Sequence, residues 1–355
     1  MNLKDLGFDE SFKEFMSLQG LENLDAGRVI AEHKERYIVV TEAGEFDAEI
    51  TGNMRFTAKD RSDFPAVGDW VAVSMYEGGM AIIHRIFPRK TILSRQAVGK
   101  IGEAQVIAAN IDYALITLAA GQDFNINRVE RYLTICHSAK VSPVIILSKT
   151  DLIAEAGVKT LVNDLETRIK NVPIIPVSNQ TRSGYDQLSS FLTKGKTYCF
   201  LGSSGVGKST LINNLTGKEV LKTKSISEST GKGKHTTSHR ELFILENGSL
   251  LIDNPGMREV GIADTTDGLE MTFDNILELT KDCKFSDCTH THEKGCAVTE
   301  AVEKGIIDRA SYENYLKMER EKQRFRTSHA EKRKKDKAFG KFAKQVMEYK
   351  KRFKP

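Results

Sequence analysis

A phosphate-binding motif constrains the fold of this chain more than any other feature. Residues 202–209 read Gly-Ser-Ser-Gly-Val-Gly-Lys-Ser, a complete G-x4-G-K-S/T motif between an apolar run at 197–201 and a helical run at 210–215. Backbone amides at such a helix N-terminus cradle phosphates, the lysine reaches the β- and γ-phosphates, and the serine hydroxyl ligates Mg2+. The predicted phosphate-binding residues are Gly202, Ser203, Ser204, Gly205, Val206, Gly207, Lys208, Ser209 and Thr210, with Lys208 also catalytic and Ser209 a magnesium ligand.

Apolar runs alternate with helical patterns on both sides of this motif. Residues 113–119, 143–147 and 173–177 predict buried parallel strands, and residues 128–137 and 158–169 predict crossover helices. Further strands are predicted at 197–201, 241–245 and 249–253. The central region is therefore expected to be a doubly wound α/β domain.

Two further segments fit a nucleoside triphosphate site. Asp253-Asn-Pro-Gly256 ends a predicted strand, where the carboxylate can hold Mg2+ through water and the Gly256 amide can contact a γ-phosphate. Residues 231–237, Gly-Lys-Gly-Lys-His-Thr-Thr, suggest a switch loop in which Thr236 or Thr237 closes over Mg2+.

The group that positions the attacking water is less evident from the residues. Met257 stands where many GTPases carry a glutamine, and methionine cannot orient water, so we expect slow intrinsic hydrolysis. His235, inside the switch loop, is either the replacement or a loop histidine without a catalytic part.

Base choice is predicted from two segments that follow strands. Ser148-Lys149-Thr150-Asp151 resembles the N-K-x-D guanine motif of GTPases, in which Asp151 would accept from guanine N1 and N2 while Lys149 lies over the base. Ser148 replaces the motif's asparagine and so lacks an amide contact near the purine. Ser178 and Asn179 resemble the next GTPase element, whose backbone contacts the guanine oxygen.

The order of these motifs is reversed relative to an ordinary GTPase. The base motifs at 148 and 178 precede the phosphate loop at 202, the first switch at 231 and the second switch at 253. Because contacts can be kept when a chain is cut and rejoined, this order predicts a circular permutation. The chain leaving the second switch runs into the C-terminal segment, which suggests that γ-phosphate contacts move that segment.

The flanking regions predict two more domains. Residues 1–25 form an N-terminal extension in which Leu3 to Gln19 are predicted to be helical, since Phe8 and Phe12 have helical spacing. Short alternating runs with turn residues over 26–97 then predict an OB-fold-like or SH3-like barrel, with residues 89–100 as a basic linker. The permuted GTPase domain is assigned to 98–267 and a zinc-binding helical domain with a basic tail to 268–355.

Three of the five cysteines crowd into 14 residues with two histidines. Cys283, Cys288, His290 and Cys296 offer the ligand set of a closed structural Zn2+ site, for which His292 is the alternative to His290. Cys136 and Cys199 fall in a predicted helix and strand and are expected in the core.

Positive charge is concentrated at the C-terminus. The net charge is +4, whereas residues 317–355 carry 16 Lys or Arg against 5 Asp or Glu, interleaved with aromatic residues. Such a tail fits either an RNA contact or a helix packed onto the body. No signal peptide or membrane span is predicted.

Together the permuted motifs, the barrel with Gly-Asp-Trp-Val at 68–71, the GKGKHTT loop and the Cys/His cluster resemble the ribosome small-subunit-dependent GTPase A family. The resemblance implies a cytoplasmic bacterial GTPase that acts late in small (30S) ribosomal subunit maturation, contacts rRNA and is stimulated by the subunit. It implies GTP/GDP, Mg2+ and one structural Zn2+, favours Thr237 and His290 over their neighbours, and suggests His235 for the water. We expect a monomer without membrane contact. The alternatives are a P-loop ATPase or nucleoside kinase, and a non-catalytic RNA-binding scaffold.

Overall fold

A computed structural model describes residues 2–33, 36–96, 104–121, 124–217, 240–253 and 266–324. Its strands are β1 Asp25–His33, β2 Arg36–Thr41, β3 Gly44–Ile50, β4 Trp70–Tyr76, β5 Met80–Ile86, β6 Ile92–Gln96, β7 Ala104–Ala109, β8 Tyr113–Ala119, β9 Ser142–Ser148, β10 Ile174–Pro176, β11 Thr197–Leu201, β12 Glu241–Ile244 and β13 Leu250–Asp253. Its α-helices are α1 Glu10–Leu18, α2 Gly52–Thr57, α3 Ile126–Ser138, α4 Glu155–Arg168, α5 Tyr185–Phe191, α6 Lys208–Thr216, α7 Thr266–Thr272, α8 Asp274–Thr280, α9 Ala297–Glu303 and α10, residues 309–324. None of the helices in these described ranges is long and apolar enough to span a membrane.

Strands β1 to β5 close into a barrel. The pairing runs β1-β2-β3-β5-β4 and returns from β4 to β1, with β3 and β5 parallel and the other pairs antiparallel. Alternate residues of these strands point inward and form a buried core. The result is a closed five-stranded barrel, as the OB-like prediction required.

The N-terminal extension caps one end of this barrel, and its helix is interrupted. A 3-10 helix at Leu3–Leu6 ends at Gly7, which has φ 86°, and α1 then starts from the N-cap Asp9. The sequence predicted one continuous extension because Phe8 and Phe12 have helical spacing. Both rings instead pack on Trp70, with centroids 4.9 and 5.8 Å from it, so barrel packing sets the break.

The α/β domain has the strand order β10-β9-β8-β11-β13-β12. The first five strands are parallel, and β12 is antiparallel to β13. Residues 113–119 and 197–201 form strands with the predicted limits, and 143–147 lies inside β9. Because parallel strands end at the same edge, the segments after β9, β10 and β11 meet there.

The predicted basic linker at 89–100 is wrong in part. Residues Ile92–Gln96 form β6, which pairs with β7 in a separate antiparallel hairpin. Arg89 binds the fully buried carboxylate of Asp69, with Nη2 to Oδ2 at 2.7 Å. Burial raises the pKa of Asp69, and Arg89 opposes that rise. Charge at position 89 thus serves barrel packing.

The helices after residue 266 have a core of their own and pack against α3. Leu269, Phe273, Ile276, Val298 and Tyr315 belong to that core. Helix α7 lies so close to α3 that a Cβ on Gly268 would come within 2.0 Å of Ser138 Oγ. The tail beyond residue 324 lies outside the described residues.

The two cysteines outside the Cys/His cluster lie in the core of the α/β domain. Cys136 on α3 and Cys199 on β11 are both fully inaccessible to solvent. The core prediction for these two residues is confirmed.

Candidate nucleotide site and metal centre

The phosphate loop connects β11 to α6 and depends on three glycines. Gly202, Gly205 and Gly207 have φ of 145°, 81° and 96°, a region that other residues rarely adopt. Gly202 also lies against β8, where a Cβ would be 2.3 Å from the Thr117 carbonyl oxygen. The Lys208 ammonium donates to the carbonyls of Gly202 and Ser203 at 2.7 and 2.5 Å, so it lies over the loop that would surround phosphates.

Ser148 joins the predicted base motif to the phosphate loop. Its side chain is 1% exposed, and its hydroxyl lies 2.6 Å from the Val206 carbonyl oxygen and 3.0 Å from that of Leu118. Since a hydroxyl has one proton, these two carbonyls share it. The next residue, Lys149, has φ 57° and turns the chain out of β9.

The carboxylate of Asp151 is oriented by the loop after β10. Ser178 donates to Asp151 Oδ1 at 2.6 Å, and the same hydroxyl accepts the amides of Gln180 and Thr181. The Thr150 amide donates to the Val177 carbonyl at 3.3 Å. The two predicted base segments therefore form one unit, with Asp151 at its exposed edge.

Asn179 makes a second link to the phosphate loop. Its Nδ2 donates to the Gly207 carbonyl at 2.9 Å, its Oδ1 accepts from Tyr185 at 2.8 Å, and Asn214 donates to the Tyr185 hydroxyl at 2.7 Å. Sequence analysis missed Tyr185 and Asn214. No signal in one sequence could have found them, because neither belongs to a motif and only the fold brings them to Asn179.

The remaining predicted residues divide into two groups. Asp253 ends β13, next to the phosphate-loop strand β11, as the second-switch prediction required of its position. His235, Thr236, Thr237, Gly256 and Met257 lie outside the described residues, so their predicted roles stay predictions.

Helix α3 connects the phosphate loop to the C-terminal helices. Tyr132 of α3 and Ser203 of the phosphate loop line the same cavity. Burial raises the pKa of Tyr132, and the neighbouring Ser203 side chain opposes that rise. On the same helix, Glu130 is 3% exposed and accepts from Ser311 at 2.9 Å and Asn314 at 2.6 Å, both on α10. Sequence analysis did not identify this connection.

The four predicted metal ligands come together in space. The ligand atoms of Cys283, Cys288, His290 and Cys296 all lie within 4.8 Å of one another. Cys283 Sγ is 3.8 Å from Cys296 Sγ and 3.5 Å from His290 Nδ1. Tetrahedral zinc, with bonds of about 2.3 Å to sulfur and about 2.0 Å to nitrogen, requires separations of about 3.8 Å and about 3.5 Å. The residues therefore fit one Zn2+ ion.

Neighbouring groups shape the loop that carries the histidine. Glu293 accepts the Thr289 hydroxyl and the amides of Thr289, Thr291 and His292, and the bonds from Thr289 hold the pKa of this carboxyl well below its usual range. Tyr312 of α10 donates to the His290 carbonyl at 2.5 Å. His292 is exposed and lies outside the cluster. These contacts turn Nδ1 of His290, rather than His292, toward the thiolates.

The strand order and the sequence order of its loops define the class of protein. A phosphate loop follows β11 in the middle of the sheet, while the base segments follow β9 and β10, which precede it in the chain but lie beyond it in the sheet. This is a circularly permuted P-loop GTPase. Residues 86–263 match the RsgA GTPase family, and the chain belongs to that family.

Two curated relatives are similar to this chain over most of its length. The small ribosomal subunit biogenesis GTPase RsgA 1 of Listeria innocua is 46% identical over 296 residues, 83% of each chain. A protein of the same name from Bacteroides thetaiotaomicron is 38% identical over 357 residues, covering 99% of this chain and 98% of its own.

Two crystal structures extend this agreement to the fold. YjeQ from Thermotoga maritima superposes with a TM-score of 0.63 at 27% identity, covering 84% of this chain and 98% of its own. YloQ, described as a circularly permuted GTPase, has a TM-score of 0.61 at 25% identity, covering 85% and 96%.

Proposed function

We propose that this GTPase hydrolyses GTP during late maturation of the small (30S) ribosomal subunit, binding rRNA and responding to the subunit with faster turnover. The observation that carries the proposal is the direct bonding of the two base segments to the phosphate loop, through Ser148 to Val206 and Asn179 to Gly207. The small subunit is proposed as the partner because these relatives are named for small ribosomal subunit biogenesis.

The residues at the site have the following proposed roles. Asp151, assisted by Ser178, selects guanine, and Lys149 and Thr150 shape the same loop; Lys208 and the loop amides from Gly202 to Thr210 hold the phosphates. Ser209 and Thr237 would ligate Mg2+, and Asp253 would hold the ion through a water molecule. The Gly256 amide would contact the γ-phosphate. When bound, Mg2+ neutralises charge developing on the β- and γ-phosphate oxygens. His235 would position the attacking water in the absence of a glutamine at 257.

The flanking domains serve the partner rather than the chemistry. We infer one structural Zn2+ on Cys283, Cys288, His290 and Cys296, since four protein ligands leave no site for a catalytic water. The boundaries 26–97, 98–267 and 268–355 divide the barrel, GTPase and zinc-binding domains. The basic tail would contact rRNA. We further propose that the protein is a cytoplasmic monomer without membrane contact, because ribosomal subunits mature in the cytoplasm.

The test compares steady-state GTP hydrolysis alone, with purified small subunits and with large subunits, at 50 and 200 mM salt. We expect small subunits, but not large subunits, to raise the GTP turnover. High salt should weaken the stimulation, because contacts with RNA phosphates release counterions and so become less favourable as salt rises. Lys208→Ala should abolish hydrolysis in every condition. No stimulation would contradict the proposal.

Two other outcomes would support other functions. Equal affinity for ATP and GTP would indicate a P-loop ATPase or nucleoside kinase. Full cellular function of the Lys208→Ala variant would indicate an RNA-binding scaffold.

A further inference from the structure

Two consecutive peptide groups of the phosphate loop turn their carbonyls toward the base segments. The Val206 carbonyl is bonded to the Ser148 hydroxyl at 2.6 Å, and the Gly207 carbonyl accepts Asn179 Nδ2 at 2.9 Å. The Gly207 carbonyl also accepts the Leu211 amide of α6 at 2.9 Å, so Asn179 adds a second bond to a group that the helix already holds. A trans peptide group is planar, with its C=O and N–H directed oppositely. The amides of Gly207 and Lys208 therefore point away from the base-segment side chains that bind the two carbonyls.

A polar chain fixes the side chain of Asn179 in this orientation. Asn214 donates to Tyr185 at 2.7 Å, and Tyr185 donates to Asn179 Oδ1 at 2.8 Å. Because Oδ1 is the atom that accepts, the NH2 group must face Gly207. Asn214 lies on α6, the helix that begins at Lys208, so the chain starts and ends on the phosphate-binding element and its bonds reinforce one another.

We propose that Ser148 and Asn179 are positioning residues that aim the Gly207 and Lys208 amides at the β-phosphate of the bound nucleotide. The base segments then determine phosphate affinity as well as base choice. The inference rests on the proposed function, since it takes the ligand to be a guanine nucleotide. It also explains how a chain with serine at position 148 secures its phosphate loop: the amide donor comes from the segment after β10.

The test separates the phosphate contribution from the base contribution. GDP carries a β-phosphate and GMP does not, so the ratio of their dissociation constants, measured by calorimetry with Mg2+, reports the aimed amides. Asn179→Asp keeps the side-chain shape and can still accept from Tyr185, but its carboxylate cannot donate to the Gly207 carbonyl. We expect GDP binding about tenfold weaker and GMP binding unchanged, since one hydrogen bond is lost.

Three further variants separate amide positioning from the effects of added charge and of lost stability. Tyr185→Phe adds no charge and only frees the Asn179 amide to rotate, so the preference for GDP over GMP should fall about threefold. Ser148→Ala should lower that preference by releasing the Val206 carbonyl. Gln180→Glu makes the same amide-to-carboxylate change at the next, exposed residue and should leave the preference unchanged. A role confined to stability would weaken GMP and GDP equally.

The outcomes are distinct. If Asn179→Asp and Tyr185→Phe keep the wild-type preference for GDP over GMP, the positioning role is overturned while the proposed function stands. If the wild-type protein shows no preference for guanine over adenine nucleotides, the proposed function fails and this inference with it.

Discussion

Asp151 is the side chain that we propose selects guanine, and one neighbouring hydroxyl orients it. Ser178 donates to one carboxylate oxygen at 2.6 Å, which fixes the orientation of the group at the loop edge. A carboxylate accepts hydrogen bonds from both the N1–H and the 2-amino group of guanine. A side-chain amide has one accepting oxygen, and its NH2 group can only donate, so it cannot pair with both guanine donors.

We therefore predict that Asp151→Asn weakens GTP binding about 10- to 100-fold, equivalent to about 1–3 kcal/mol. Xanthosine triphosphate, with a carbonyl at position 2, should gain affinity, because the introduced amide can donate to it. Competition binding with both nucleotides measures the exchange. Asp164→Asn, on the exposed face of α4, is the control. Unchanged GTP binding in Asp151→Asn would place the base elsewhere.

Individual site residues were predictable only where a motif names them. Asp151 and Lys208 belong to motifs whose spacing is set by local backbone geometry. The bond between Asn179 and Gly207 was not predictable, because the two residues are 28 positions apart and only the fold brings them together. The roles of Ser148 and Asn179 toward the phosphate loop follow from the three-dimensional arrangement.

Among the elements, α3 connects the GTPase domain to the C-terminal helices. Its Glu130 forms a two-point ion pair with Arg168 of α4, with both N–O distances 2.7 Å, while accepting Ser311 and Asn314 from α10. The side chains of Glu130 and Arg168 are only 4% and 12% exposed. If either partner were removed, the charge of the other would stay buried without its main counter-ion.

We expect Glu130→Gln to lower the free energy of unfolding by about 2–4 kcal/mol, because the Arg168 cation loses its main partner. Urea titration followed by circular dichroism measures it. Glu155→Gln makes the same change in an ion pair whose side chains are 83% and 75% exposed, and should cost less than about 1 kcal/mol. Equal losses in the two variants would show that the buried pair is not special.

A metal ion held by the Cys/His cluster would stabilise α8, α9 and the loop between them. This segment has a small core, and a bound ion can contribute on the order of 10 kcal/mol to such a segment. We predict one zinc per chain by metal analysis. His290→Ala should lose it together with helical signal, whereas His292→Ala should retain both. Zinc retained in His290→Ala would contradict the ligand assignment.

At the scale of whole elements, the sequence predicted regular strands better than their connections. Residues 113–119 and 197–201 are continuous apolar runs buried on both faces, so local pattern and final environment agree. The break at Gly7 and the hairpin at 92–96 arise from contacts with the barrel and with β7. The contacts of Phe8 and Phe12 with Trp70 are distant in sequence and leave no local pattern, whereas β6 pairs with the next strand and was missed because its basic residues suggested a linker.

In the whole molecule, the barrel and the GTPase domain share one continuous sheet, because β1 pairs antiparallel with β12 at Ala31 and Glu241. A buried arginine adds hydrogen bonds across this junction. Arg28 on β1 is 1% exposed and donates to the carbonyls of Leu6, Gly68 and Asn110 and to the Thr197 hydroxyl, the last two at 3.0 and 2.8 Å. Burial lowers the pKa of Arg28 to about 10, against the influence of Asp112 and Asp69, so the side chain stays cationic at neutral pH. One side chain thus joins the N-terminal extension, the barrel and the phosphate-loop strand.

We predict that Arg28→Lys lowers the free energy of unfolding by about 2–4 kcal/mol although charge is conserved, since one ammonium cannot reach four acceptors that a planar guanidinium spans. Urea titration compares it with Arg36→Lys on the neighbouring strand, where the side chain is 80% exposed and the loss should stay below about 1 kcal/mol. If both variants unfold alike, the charge of Arg28 matters and its shape does not. A larger loss at position 28 would show that the shape of the guanidinium, which sets the directions of these hydrogen bonds and lies over the Trp70 ring at 5.6 Å, contributes to holding the two domains together.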